Sequence, residues 1–518
     1  MNAYELIAFI LYFALVVGIG IYFFVKSKTE TEKDYFLGGK NMGGFVAALS
    51  AGASDMSAWC LMGLPGAIYL NGLGQVWISV GLIIGTVLAW IFVAPRLRVY
   101  SIKAGDSITI PQFLTNRFLT KNIVLRVVCA VIFLVAYCLF TASSVAACGD
   151  LLNTLTNGLI NKEAGMIIAT VVIIAYTMLG GFRAVCWTDF LQGMLMLAAL
   201  MILPIIAGIL LGTGTHAETF APWASESPNY YNLLSSGKFD WDSIASILTG
   251  LAWGLGYFGM PHILVRYMSI KDKKEMRKSQ IIGSTWTFLI LTMATIFALV
   301  AHEFLGGSAE SDKSLIFVFV ARDIFQWGAL ALLGGILISA IVAASMSTAD
   351  SQLLSSSSAF ASDIYKARIK PNASDKEMVL ISRIVIVFIA VVALLIGLFG
   401  SDSIMALVSA AWSIFGAAFG PAILLALYWK RFNYKGCTAG VATGFIVSIL
   451  WMVLFNFEYY STNTVTYTSL IYNTQLYELL PGFVVSLLVA VVVSLATQAP
   501  TKDVTDLFDE MASSEDLK

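Results

Sequence analysis

Ser50-Ala-Gly-Ala-Ser-Asp-Met-Ser-Ala-Trp59 sits inside an apolar run from about Met42 to Leu70. A run of that length spans a bilayer core of about 30 Å. One acid, Asp55, lies near its middle, where a carboxylate costs about 2.5–3.5 kcal/mol on insertion scales. Its neighbours are small or hydroxylated, Gly52 weakens the helix, and Gly63, Pro65 and Gly66 follow. Irregular backbone at membrane depth is tolerated only where protein buries it or it lines a wet cavity. The stretch therefore reads as a broken helix around a cation or substrate site.

The surrounding chain fits a membrane setting. Of 518 residues, 58% are hydrophobic and 12% are charged. About thirteen apolar runs of spanning length recur, near 4–25, 42–70, 74–95, 124–146, 164–180, 187–211, 243–268, 282–304, 327–360, 378–399, 403–429, 437–456 and 478–497. This is the pattern of an all-α polytopic membrane protein in contact with lipid. The net charge of −1 gives no footprint for a nucleic-acid partner. The six cysteines are scattered with no CxxC pair, so neither a disulfide framework nor a zinc site is indicated. The three histidines are far apart in sequence. The first run is too long for a signal-peptide core and has no basic residues before it, so it reads as a retained span. No stretch resembles a separate soluble domain, which argues against a fused kinase or nucleotide-binding module. There is no GxxxxGK[ST] loop, so an ATP-driven pump of that type would need a partner chain; no obligatory protein partner is evident.

The connections between runs form two alternating sets. All of the 31 Lys and Arg residues except Lys162, Lys238, Lys313 and Arg322 fall in one set. By the positive-inside rule that set is cytoplasmic, which puts the N-terminus outside and the C-terminus inside a plasma membrane. The basic connection Arg266–Lys278 reads as a topology anchor. The connections at 212–242 and 457–477 read as lids or solvated loops. The tail after Pro500, with six acids and two lysines, reads as a flexible cytoplasmic end.

A second broken helix is visible at Gly250-Leu-Ala-Trp-Gly-Leu-Gly-Tyr-Phe-Gly-Met-Pro-His262. Close packing between helices is the plain reading of its glycines. Pro261 removes a backbone donor, and Trp253 and Tyr257 share one helical face suited to a small apolar ligand. The two broken segments are five runs apart, as expected of two inverted five-helix repeats, and paired interrupted segments point to a transporter site. This divides the chain into 1–41 (first span and loop), 42–211 (first repeat), 212–242 (connection), 243–429 (second repeat), 430–497 (two further spans) and 498–518 (tail).

A third element is Ala343-Ala-Ser-Met-Ser-Thr-Ala-Asp-Ser-Gln-Leu353. Ala344, Ser347, Thr348 and Ser351 are offset by 3, 4 and 7 residues and share a face. Their hydroxyls suit a hard monovalent cation, or simply bond back to the helix. Asp189 has a plain reading as a helix N-terminal acid and a sharper one, with Ser351, as a second cation site or exit-path acid. Asp350 reads as pointing into a cytoplasmic vestibule or pairing with a base.

At these elements the chain resembles the sodium:solute symporter family, and within it the members that carry proline. The resemblance covers nearly the whole chain. It rests on Leu37-Gly-Gly-Lys40, Ser50–Ser57, Leu61-Met-Gly-Leu-Pro-Gly-Ala67, Gly180-Gly-Phe182 with Trp187-Thr-Asp189, Trp253–Gly259 with Pro261-His262, Met346-Ser-Thr348 and Phe415–Pro421. It implies a leucine-transporter-like fold of two inverted five-helix repeats, with one span before them and two after. It also implies uptake of L-proline with Na+ as the coupling ion and no organic cofactor. The family's sodium site looks like carbonyls of Ala53, Met56 and Ala344 with hydroxyls of Ser347 and Thr348, and Asp55 beside them. The proline site looks like Ser57, Ala58, Trp253, Tyr257 and Pro261. Ala58 is a departure, because glycine is usual there and a methyl either narrows the pocket or is accommodated by a small shift. Ser347 and Ser351 fit the second cation site of some sialic-acid-type relatives, whereas Asp350 replaces a hydroxyl, so a second sodium is not expected.

Three other readings compete: a family member carrying another amino acid, pantothenate or a sugar; an ion channel; and a membrane-embedded enzyme. An aromatic pocket with few polar side chains disfavours a sugar. A channel would pass ions far faster than solute, and an enzyme would need a His, Cys or paired-acid cluster at membrane depth.

Overall fold

A bilayer core offers no water to unpaired backbone groups, so spanning segments close their hydrogen bonds within helices. The computed structural model describes residues 3–26, 31–214, 229–306, 310–326, 328–400, 403–455, 458–461, 464–467 and 474–517. Its main helices, in chain order, are α1 (Ala3–Lys26), α2 (Gly44–Ala53), α3 (Leu64–Asn71), α4 (Leu73–Lys103), α5 (Val124–Leu155), α6 (Lys162–Gly212), α7 (Trp241–Ala252) and α8 (Pro261–Ser269). They continue with α9 (Lys273–Leu305), α10 (Ile316–Ile324), α11 (Leu330–Ala359), α12 (Asp375–Phe399), α13 (Ile404–Tyr428), α14 (Tyr434–Phe455), α15 (Leu479–Ala496) and α16 (Lys502–Ala512). Several start where the sequence supplies a side-chain cap. Asp240, Asp272, Ser374 and Ser403 each accept a hydrogen bond from the backbone N–H three residues on.

Among the described residues, ten helices are long and apolar enough to cross a membrane, and a pair bent by 45° across residues 241–269 makes an eleventh. Two of the thirteen expected runs fall outside that set. The run 42–70 is split between α2 and α3. The run 164–180 is the first arm of α6, which turns at Gly181 (φ +59°). A side chain at Gly181 would be strained by that φ, and its Cβ would lie 3.0 Å from the Tyr35 ring. The described residues also hold one short antiparallel hairpin, Glu458–Ser461 with Thr464–Tyr467, within an otherwise helical chain. Residues 215–228 and 468–473, parts of the two expected lids, lie outside the described residues.

Burial sorts the helices into a centre and a rim. α11 is buried along almost its whole length against α5 and α6, and α13 packs against α5, α14 and α15. On α12, Ile384, Phe388, Val391 and Leu395 form an exposed apolar stripe.

The two sets of connections gather at opposite ends. At one end Glu5 pairs with Arg322 at 3.0 Å. At the other, basic end, Asp106 meets Lys33 at 2.5 Å and Lys40 at 2.8 Å. Partial burial disfavours the Asp106 carboxylate, but the two ammonium groups more than offset this and hold its pKa below the usual value.

The tail is not the flexible end its composition suggested. α16 packs along the basic end of α4, with Val504, Phe508 and Met511 buried. The Phe508 ring covers the Arg117 guanidinium, whose carbon is 5.1 Å from the ring centroid. Around it are ion pairs Lys103–Glu510 (2.6 Å), Lys430–Asp509 (2.5 Å) and Arg98–Asp516 (3.1 Å). Each of these pairs has a solvent-accessible carboxylate, and pairs of that kind contribute little, so the buried stripe holds the helix. Phe508→Ala removes a buried ring, at about 3–5 kcal/mol. The expected outcome is rapid proteolytic cleavage near Lys502 under conditions where the wild type is protected, with triple neutralisation of Asp509, Glu510 and Asp516 having a much smaller effect.

Candidate functional site

The break in the second apolar run has a defined hydrogen-bond pattern. α2 ends at Ala53, and the backbone turns through residues 54–57. The N–H groups of Asp55 and Met56 donate to Gly52 O, and that of Ser57 to Asp55 O. The turn frees the Ala53 carbonyl from the helix ladder. Ser347 of α11 donates its hydroxyl to that oxygen at 2.8 Å, Thr348 does so at 3.5 Å, and Ser347 also reaches Ala344 O at 3.1 Å. Four of the expected cation ligands, Ala53 O, Ala344 O and the two hydroxyls, thus converge between α2 and α11. All are hard oxygen ligands that suit a small monovalent cation. Met56 is fully buried in the same turn.

Asp55 is fully buried beside this cluster. Its Oδ2 accepts a short hydrogen bond from the Tyr257 hydroxyl, and its carbonyl accepts Trp59 Nε1 at 3.1 Å. Its Oδ1 has no hydrogen-bond partner among the described residues. One carboxylate therefore touches the second broken segment while keeping an oxygen available.

That second segment is α7, the 3-10 turn Trp253–Phe258, and α8 beginning at Pro261. Proline suits the first turn of a helix, where its missing N–H costs nothing. Glycine lets the turn approach α13: a Cβ at Gly256 would lie 2.1 Å from Trp412 Nε1. Trp412 Nε1 donates to the Trp253 carbonyl at 2.8 Å, and the Tyr257 ring packs edge-on against Trp412 with centroids 5.2 Å apart. Trp59 and Trp253 face each other at 6.3 Å. Ser57 and Ala58 lie buried just before Trp59. Of the expected substrate residues, Trp253 and Tyr257 thus gather with Trp59 and Trp412 as an aromatic box, Ser57 and Ala58 lie on the broken-helix backbone leading to Trp59, and Pro261 opens α8 just after the turn. At the end away from the basic connections, a cavity of about 450 Å³ opens among Gln75, Ser236, Asp242, Thr249 and Gln475.

The sodium:solute symporter family model matches residues 35–444. The chain belongs to the sodium:solute symporter family. The high-affinity proline transporter PutP of Bacillus subtilis is 40% identical over 490 residues, covering 94% of this chain and 98% of that protein. The osmoregulated proline transporter OpuE of the same organism is 39% identical, covering 96% and 98%. A sodium/proline symporter of Staphylococcus aureus is 39% identical, covering 94% and 92%. Among solved structures, a Na+-coupled sialic acid symporter in a substrate-bound outward-open state aligns with a TM-score of 0.75 at 19% identity, over 97% of this chain and 99% of that one. MhsT in complex with L-phenylalanine aligns with a TM-score of 0.54 at 15% identity, over 88% and 98%. At those identities the solved structures establish the leucine-transporter-like fold alone. The family and its relatives are transporters, which supports a transporter over the channel and enzyme readings, and this symporter couples solute movement to Na+.

Within the symporter, Asp189 and Ser351 have a partner that sequence reasoning missed. Arg266, read as the first residue of a topology anchor, is instead 1% exposed. Its guanidinium donates to Asp189 Oδ2 at 2.8 Å, Ser50 Oγ at 2.7 Å and His262 O at 2.6 Å, and makes a short bond to Ser351 Oγ. Ser50 and Ser351 also donate to Asp189, at 2.7 and 3.3 Å. One arginine thus ties α2, α6, α8 and α11 together toward the basic end. Asp350 is fully buried and accepts the Ser351 hydroxyl at 3.1 Å, so in this conformation it does not face an open vestibule. The available signal was a cation only four residues after His262, on the same face of an apolar helix.

Arg266→Gln strands the buried Asp189 charge, a loss of about 3–5 kcal/mol. The expected outcome is a clearly lower melting temperature of the purified symporter, with most of the loss recovered in Arg266→Gln/Asp189→Asn. Equal melting of the single and double variants would show that the pair is not the tie described.

Proposed function

We propose that the symporter takes up L-proline with Na+ by alternating access across a bacterial cell membrane. The observation that carries this reading is the Tyr257–Asp55 hydrogen bond, which joins the wall of the aromatic box to the acid beside the oxygen cluster. Near-full-length identity of about 40% to proline carriers supports the substrate. The box also suits a small apolar ring with a charged head, because half-helix ends and freed backbone groups can meet the carboxylate and imino group.

In this reading, Na+ is held by the carbonyls of Ala53, Met56 and Ala344 and the hydroxyls of Ser347 and Thr348, with Asp55 supplying a nearby negative charge. Binding turns the hydroxyl protons away from Ala53 O and joins α2 to α11 through the ion. The proline ring packs between Trp253 and Tyr257, over Pro261, with its polar groups toward Ser57 and Ala58. Asp189 and Ser351, released from Arg266 when the basic end opens, line the exit path. The core comprises two inverted five-helix repeats, 42–211 and 243–429, within about thirteen spans. The basic end is cytoplasmic, which leaves the N-terminus outside. The membrane potential adds about 2.3 kcal/mol per charge per 100 mV to uptake.

The test is labelled L-proline uptake into proteoliposomes with and without an inward Na+ gradient, comparing the wild type with Asp55→Asn and Ser347→Ala. Sodium-driven accumulation is expected in the wild type, with each variant needing at least about tenfold more Na+, a loss of about 1.4 kcal/mol in ion binding. Absence of proline uptake under any cation gradient would remove the substrate assignment, and uptake indifferent to Na+ would remove the coupling scheme. Linkage adds a reciprocal expectation: proline affinity rises with Na+, and Na+ affinity rises with proline by the same factor.

A further inference from the structure

The indole of Trp253 is supported from outside the two broken segments. Trp253 opens a 3-10 turn, whose hydrogen-bond geometry is poorer than that of an α-helix. The turn alone therefore gives its side chain a weak footing. Tyr477, just before α15, stacks on the indole with centroids 4.8 Å apart and planes 16° from parallel. Trp412 borders the indole at 6.4 Å and 29°, and Trp59 at 6.3 Å and 32°. Both stacked residues are buried, Trp253 at 4% and Tyr477 at 6% exposure.

Tyr477 is itself pinned at both ends. Its hydroxyl donates to the Ser409 carbonyl of α13 at 2.7 Å, and its backbone N–H donates to Thr249 Oγ1 of α7 at 3.1 Å. The Thr249 hydroxyl in turn donates to Gln475 O at 3.0 Å, and Trp451 Nε1 of α14 donates to Leu476 O at 3.3 Å. Residues 475–477 thus form a strap over the outer half of the second broken segment, beside the cavity of about 450 Å³ that Gln475 and Thr249 help to line. The strap lies beyond residues 35–444, the part the family model matches.

We propose that Tyr477 is a positioning residue for substrate recognition: stacked on Trp253, its ring holds the indole at the angle at which the aromatic box receives its ligand. A recognition surface works only when its side chains are held within a fraction of an ångström and some 10–20° by their supports. The strap therefore brings the spans after the second repeat into the substrate site. The inference rests on the reading of the box as the proline pocket.

The experiment is a double-mutant cycle in proteoliposomes with L-proline as the probe, using wild type, Tyr477→Phe, Tyr477→Leu, Trp253→Phe and Trp253→Phe/Tyr477→Leu, each normalised to inserted protein. Tyr477→Phe keeps the stack and is expected within about twofold of wild type. Tyr477→Leu is expected to raise the KM for proline about three- to tenfold, the factor an aromatic pair supports. Maximal rate and half-saturating Na+ are expected to stay near wild type, and the leucine change should add little once Trp253 is phenylalanine. A KM unchanged in Tyr477→Leu, or raised equally with and without Trp253, would overturn the proposal. Tyr477→Met runs beside the leucine variant, in case one of the two fails to insert.

A second readout needs no transport. With 5-fluorotryptophan incorporated, the ¹⁹F resonance missing from Trp253→Phe is expected to shift in Tyr477→Leu and to hold in Tyr477→Phe; no shift in the leucine variant refutes the stack. Failure of wild-type proline uptake would sink the substrate reading alone, and the fluorine shift would then decide the role of Tyr477.

Discussion

Everything in this symporter is arranged around four residues of backbone, 54–57, that leave the helix at membrane depth. Helical geometry would have used the Ala53 carbonyl internally; the turn releases it, and at that depth an unpaired carbonyl costs several kcal/mol. The structure satisfies it with hydroxyls from α11, which must then run through the centre of the bundle, almost fully buried. The requirement to satisfy one released carbonyl thus fixes which helix is central and brings oxygen ligands to one point. The same reasoning applies to the second broken segment, where the Trp253 carbonyl is satisfied by Trp412 of α13.

Buried charge is distributed with similar care. Asp189 and Arg266 form an ion pair at 1% exposure or less, linked through Ser50 and Ser351. Burying such a pair adds little net stability, since desolvation cancels most of the attraction. Its value lies in the difference between dry and wet surroundings. While the basic end is packed, removing either partner is costly; once water enters, both groups are hydrated and the penalty for separating them falls. If the exit path runs here as proposed, an ion pair is therefore a better seal for it than an apolar plug, whose exposure to water is unfavourable.

How much of this was readable in the chain depended on whether the signal was local. Gly52, Gly63 and Pro65 mark the first break within ten residues of Asp55, and the offset of Ala344, Ser347 and Thr348 puts their oxygens on one helical face. Those are short-range patterns, and the structure brings the residues together. Arg266 was hidden because a basic residue at the start of Arg266–Lys278 looks like any membrane-flanking cation; only the fold shows it turned inward onto Asp189. Tyr477 had no local signal at all, since its partner Trp253 lies in another span. The tail is different. Val504, Phe508 and Met511 recur at helical spacing, so α16 was legible as an amphipathic helix, and acidic composition was given too much weight against periodicity.

The proposed coupling can be judged by size. An ion can favour one conformation only by its difference in affinity between conformations. Coupling between sites is typically about 1–3 kcal/mol. The link between the oxygen cluster and the aromatic box passes through the Tyr257–Asp55 contact, and a hydrogen bond to a charged group contributes about 1.5–3 kcal/mol. The two ranges overlap, so one bond is sufficient if ion binding beside Asp55 decides whether it is made. A longer relay would not strengthen the effect, because each added element would take up part of the same small energy. The short path also explains why the two broken segments must touch. Separated by even one intervening side chain, the acid of the proposed ion site and the tyrosine of the proposed solute site would report to each other only through packing, which is shared by many residues and specific to none.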